Sequence, residues 1–132
     1  MILILDASAA TEIVLKRKKH KSFESYLKEA DWIISPVLFI AEVSNVFWKY
    51  YKLADMPLDQ CEKAIEFTVG LPDEYCDDRI LYKEAFSLGC KVGKPIYDMF
   101  YLVLARRNSG YLLTLDKSLA TEAKKQSVRV IP

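Results

Sequence analysis

Short, wholly apolar runs alternate along this chain with longer stretches in which apolar residues recur at helical spacing. MILIL is uninterrupted and aliphatic, as expected of a central parallel strand covered on both faces. It stops at Asp6, and ASAATEIVLKRK then reads as a helix with Ile13 and Val14 facing inward. KKHK and Ser22 mark a connection before a second, amphipathic helix, SFESYLKEA; DWIIS is the next short strand. Ser35-Pro36 predicts a helix start, with Ser as N-cap and Pro in the first turn, and PVLFIAEVSNVFWKYYKL runs on to about Leu53.

Asp55 to Pro57 is a turn, PLDQCEKAIEFTVG a helix that Gly70 can end, and EYC a short strand. DDRILYKEAFSLGCKVG predicts a helix with Ile80, Tyr82, Ala85, Phe86 and Leu88 turned inward. Lys94-Pro95 opens IYDMFYLVLARR, which ends near Asn108-Ser109-Gly110; YLLTL is a buried strand ending at Asp116, KSLATEAKKQ a short helix and VRVI the last strand. The alternation predicts an α/β fold, a three-layer α/β/α domain with a mostly parallel central sheet of about five strands, and residues 1–132 as a single domain without repeats or linkers.

Composition narrows the class. A chain of 132 residues with 52% hydrophobic and 28% charged residues builds a globular core, and a net charge of +1 argues against a strongly basic, non-specific nucleic-acid coat. Cys61, Cys76 and Cys90 form no C-x-x-C and have no histidine nearby, which points to reduced thiols in a cytoplasmic protein, neither a disulfide frame nor a zinc site. Asp6 interrupts the first apolar run too early for a secretory signal, and no stretch approaches the ~20 apolar residues that span a bilayer, so no membrane is expected.

The chemistry lies in the acids. Ligands of open parallel sheets bind beyond the carboxyl ends of the strands, where Asp6 and Asp116 both fall. Taken singly, Asp6, Asp98 and Asp116 each read as a carboxylate at a helix N-terminus. Glu42 does not: it lies one and a half turns into its helix, with Leu38, Phe39 and Val46 as helical neighbours and Asn45 as its one polar companion. Buried there, its carboxylate needs a partner or a cation; at the edge of that face it snorkels to water. Together the four can converge on one end of the sheet, where they repel unless a cation neutralises them. Oxygen donors without His or Cys favour Mg²⁺ or Mn²⁺ over zinc, and such a site supports metal-assisted attack of water on a phosphodiester.

ILDASA (Asp6, Ser8), SPVLFIAEVSNVF (Glu42, Asn45), IYDMFYLVLARR (Asp98) and LLTLDKSLA (Thr114, Asp116), ending in VRVI, make the chain resemble PIN-domain nucleases, most closely the VapC-type toxins of toxin–antitoxin pairs. The resemblance spans essentially the whole chain and implies a cytoplasmic ribonuclease that binds one or two Mg²⁺ or Mn²⁺ ions. It makes Asp6 and Asp98 the principal ligands, Glu42 a ligand or a water-orienting group, and Asp116 the residue that completes the cluster. Ser8 and Thr114 become supporting hydroxyls, which on this sequence alone could equally cap a helix and fill a strand end. Asn45 would bond Glu42 or steer the phosphate. In-line hydrolysis would leave a 5′-phosphate and a 3′-hydroxyl. A homodimer and a small antitoxin are the implied protein partners.

Lys94, close before Asp98, is a candidate RNA contact. Lys16 and Arg17, in KRKKHK, either grip RNA phosphates or form a solvated helix end. Arg106 and Arg107 read as caps or surface residues and His20 as exposed. The aromatic run VFWKYYKL could stack on bases but fits a protein interface better. A phosphatase on a doubly wound sheet would show a paired-Asp nucleophile motif or a Gly-rich phosphate loop, and neither is present. The contrasting reading is a non-catalytic RNA-binding or receiver-like scaffold that keeps its acids for Mg²⁺.

Overall fold

The computed structural model describes all 132 residues. Strands β1 (Ile2–Leu5), β2 (Trp32–Pro36), β3 (Glu74–Cys76), β4 (Tyr111–Leu113) and β5 (Arg129–Val130) form one fully parallel sheet in the order β3-β2-β1-β4-β5. The helices are α1 (Ala7–Val14), α2 (His20–Glu29), α3 (Leu38–Ala54), α4 (Leu58–Val69), α5 (Asp78–Val92), α6 (Ile96–Arg107) and α7 (Lys117–Lys125). The chain steps one way across the sheet from β1 to β3 and the other way from β3 to β5. Right-handed crossovers therefore place α1–α4 on one face and α5–α7 on the other. The order of strands reverses between β1 and β4, which opens a crevice at their carboxyl ends.

Both faces of the sheet are covered, so β1 and β4 can be apolar throughout: Leu3, Ile4, Leu5, Leu112 and Leu113 are fully buried. Helix α6 packs on β1, β2 and α5, and buries every residue from Met99 to Ala105. A helix enclosed all round has no polar face to present. No helix is long and apolar enough to cross a membrane.

Several local expectations change. Ser35 and Pro36 do not start a helix but end β2; Ser35 is buried and its hydroxyl donates to the Leu5 carbonyl at 2.7 Å. Helix α3 begins at Leu38, whose N–H is capped by Asp78 Oδ1 at 3.2 Å, a partner from 40 residues away. Helix α1 stops at Val14, because Lys16 takes a left-handed conformation (φ 50°) and the following chain folds back on Glu12. Residues His20 to Ser22, expected as connection, open α2, and His20 is half-buried beside Glu24. In α5 the inward residues are Leu81, Ala85, Leu88 and Gly89, whereas Ile80, Tyr82 and Phe86 lie exposed. YLLTL is a strand only to Leu113; Thr114 to Asp116 form the loop beyond it.

Two glycines mark places where the chain turns or packs too closely for a side chain, Gly93 just ahead of α6 and Gly110 at the amino end of β4. Gly93 ends α5 with φ 69°, a left-handed conformation that lets the chain turn at once into α6. Gly110 sits against β1: a Cβ there would lie 2.4 Å from Ile4 Cδ1 and 3.2 Å from the Ile2 carbonyl. Since Ile4 is fully buried and cannot swing aside, Gly110→Ala is expected to destabilise the fold by roughly 1–3 kcal/mol, read as a lowered urea midpoint with an unchanged m-value.

Candidate active site

Each acid reaches the crevice from a different element. Asp6 follows β1 and caps α1, Asp116 follows β4 by a short loop and caps α7, and Asp98 occupies the first turn of α6. Glu42 projects from the second turn of α3.

Asp6 is buried and fully engaged. Its Oδ1 accepts from Ser8 Oγ at 2.7 Å and the Ala9 N–H at 2.9 Å, and its Oδ2 accepts from the Thr114 hydroxyl. The same two hydroxyls accept backbone N–H groups, Ser8 from Leu115 and Thr114 from Asp116, each at 3.0 Å. Ser8 and Thr114 therefore tie the turn after β1 to the loop after β4, across the point where the strand order reverses. Burial lifts the Asp6 carboxyl to about 6; the hydrogen bonds from Thr114, Ala9 and Ser8 oppose the rise, and the neighbouring Asp116 adds to it.

Glu42 is also raised, first by burial and then by the charges of Asp6, Asp98 and Asp78; a hydrogen bond from the Tyr101 hydroxyl to its Oε1 opposes this. Asp98 is raised by burial and by Asp116, against the pull of Lys94. No protein donor engages either oxygen of Asp98. Lys94 Nζ donates to Ser118 Oγ at 2.7 Å, which holds the ammonium at the mouth of the crevice.

The acids thus feel one another's charge, but no group of three or more is gathered closely enough to hold an ion in the conformation described. Like carboxylates in a poorly solvated crevice stay apart without a cation between them. As donors they nonetheless suit one kind of ligand: oxygen atoms only, mutually repelling, with no arginine paired to any of them. That is the chemistry of a hard divalent cation.

Other expected residues lie elsewhere. Asn45 is exposed and makes no hydrogen bond to Glu42. Lys16 and Arg17 follow the far end of α1, about 12 Å of helix away from Asp6, and the Arg17 guanidinium covers the Tyr50 ring at 5.4 Å. Arg106 and Arg107 pair with Glu84 at 2.8 and 3.0 Å. Trp48 and Tyr51 are exposed, as interface aromatics would be. Two site residues escaped the sequence reading. Asp78 lies two residues beyond β3, next to Asp77, which follows β3 as Asp6 follows β1, so the strand-end rule applied to EYC-Asp77-Asp78 would have drawn attention to it. Tyr101 lies at i+3 from Asp98 on the same side of α6, a spacing that could have flagged it.

Residues 3–125 match the family described as PIN domain. A curated relative, Ribonuclease VapC3 of Pyrobaculum aerophilum, is 30% identical over 125 residues, which cover 91% of this chain and 93% of that one. Among solved structures, a protein from Pyrobaculum aerophilum superposes with a TM-score of 0.78 at 19% identity, over 98% of this chain and 83% of the other. VapBC-1 from nontypeable Haemophilus influenzae gives 0.68 at 16% identity, over 99% and 97%. VapBC2 from Rickettsia felis, bound to a promoter DNA fragment, gives 0.66 at 16% identity, over 99% and 98%. With the acids of four elements brought to one crevice and a match over nearly its full length, the chain belongs to the PIN-domain family, and within it to the VapC type.

Proposed function

We propose that this protein is a cytoplasmic endoribonuclease, the toxin of a VapBC-type pair, working as one domain over residues 1–132. The observation that carries the reading is the group of raised carboxylates at the strand-order reversal, bordered by a lysine and free of His and Cys. The name of the curated relative and the VapBC complexes among the structural neighbours support it.

Asp6, Glu42, Asp98 and Asp116 would hold Mg²⁺ or Mn²⁺, which when bound supplies an acidified water and neutralises charge on the phosphate. The chain's own residues do the rest. Ser8 and Thr114 fix the Asp6 carboxylate, so its orientation is set before any ligand arrives. Asp98 keeps both oxygens free. Lys94 offers a cation to the RNA phosphate beside the acids. Asn45, one turn beyond Glu42 and exposed, is free to contact RNA flanking the scissile bond.

Partners follow from what is left bare. The groove between α3 and α4 is lined by Trp48, Tyr51 and Leu58, and the outer face of α5 carries Ile80, Tyr82 and Phe86. Such patches suit a second copy of the chain and a small antitoxin.

The test is cleavage of a mixed RNA pool. We expect endonucleolytic cutting with Mg²⁺ or Mn²⁺, abolished by EDTA and restored by Mn²⁺, with 5′-phosphate ends on the products. Protein that binds these RNAs yet cuts none with either ion is a scaffold and ends the nuclease reading.

A further inference from the structure

Between the layer of α1–α4 and the layer of α5–α7 there is one hydrogen bond joining two side chains, and it lies in the crevice: Tyr101 OH to Glu42 Oε1, at 2.5 Å. Tyr101 is almost fully buried within the apolar helix α6. A phenylalanine would fill the same space, so packing does not call for the hydroxyl. The hydroxyl is a desolvated polar atom whose only protein partner is Glu42. It restrains a long, flexible side chain that has no other hydrogen bond, and it leaves Oε2 without a protein partner in a carboxylate that feels the charges of Asp6 and Asp98.

We propose that Tyr101 is a positioning residue for Glu42: its hydroxyl holds the carboxylate across the two helical layers in the orientation that receives the divalent cation. This rests on the ribonuclease reading above, and it assigns a role to a residue outside the acidic set. Groups that orient ligands from behind them change metal affinity or activity by about 10–100-fold when removed.

The experiment titrates Mn²⁺ calorimetrically into metal-free wild type, Tyr101→Phe, Glu42→Ala and the double variant, with kcat and KM for RNA measured alongside. Tyr101→Phe is expected to weaken Mn²⁺ binding about tenfold and to lower kcat with KM unchanged. In the Glu42→Ala background the same substitution should change nothing, since the group it positions is gone. Equal weakening in both backgrounds means a packing effect and overturns the proposal. So does a Tyr101→Phe protein that binds Mn²⁺ and cleaves like wild type, in which case the nuclease reading survives. Wild type that neither binds Mn²⁺ nor cleaves removes the nuclease reading and this role with it.

Discussion

Asp98→Asn is expected to lower RNA cleavage by roughly 10²–10³-fold or more, with no loss of fold. The argument rests on what Asp98 lacks. Its carboxylate accepts no hydrogen bond from the protein, so an isosteric amide breaks no structural contact. Removing its charge also relieves repulsion from Asp116. Thermal unfolding of the metal-free variant should therefore equal or exceed that of wild type. On the metal-dependent reading proposed above, cleavage would need the charge itself, to neutralise a cation and to give it an open pair of oxygens. The control is Asp59→Asn, an exposed acid in the first turn of α4, which should cleave as wild type does. A variant Asp98→Asn that retains a tenth or more of the wild-type rate would remove Asp98 from the machinery.

The second large effect is an inverted pH dependence of stability in metal-free protein. Asp6 is lifted from an ordinary 3.8 to about 6, and Glu42 and Asp98 are shifted in the same direction. A raised carboxyl binds its proton more tightly folded than unfolded. Protonation therefore favours the fold: the stabilisation is complete below the unfolded value and is lost as pH rises through the folded one. For Asp6 alone the full difference is about 3 kcal/mol, and roughly half of it lies between pH 7.5 and pH 5. That half corresponds to a Tm higher by on the order of 5 °C at the lower pH. Glu84, held down by Arg106 and Arg107 despite partial burial, acts in the opposite sense only at more acid pH. Calorimetric scans with EDTA should show the rise, Asp6→Asn should flatten most of it, and saturating Mn²⁺ at pH 7.5 should restore the stability that ionisation removed. A metal-free Tm that falls steadily from pH 7.5 to pH 5 would contradict the burial of Asp6.

Most of the architecture was legible because its signals are local. Apolar runs of four or five residues between amphipathic stretches identified the parallel strands, and strand ends pointed to Asp6 and Asp116. The misreadings came where distant contacts overrule local preference. Ser35-Pro36 carries a good helix-start signal, yet pairing with β3 keeps both residues in β2, and the cap of α3 arrives from Asp78. In α5 the large apolar residues Ile80, Tyr82 and Phe86 outweigh the small residues that pack, because close approach to α6 selects Ala85 and Gly89. Periodicity cannot tell a face that meets the core from a face that meets another molecule. Glu42 stood out as a charge on an apolar face, but its partner Tyr101 lies 59 residues away, beyond any pattern along the chain.

The order β3-β2-β1-β4-β5 also has a meaning for folding. β1, the middle strand, pairs on one side with β2 but on the other with Tyr111–Leu113, more than a hundred residues later in the chain. Asp6 is bound by Thr114 only when that late strand docks. Closing the β1–β4 pair therefore costs more loop entropy than closing β1–β2, which makes it a non-local step of folding. The pairing that completes the hydrogen bonds of Asp6 is thus also the one that spans most sequence in the whole sheet.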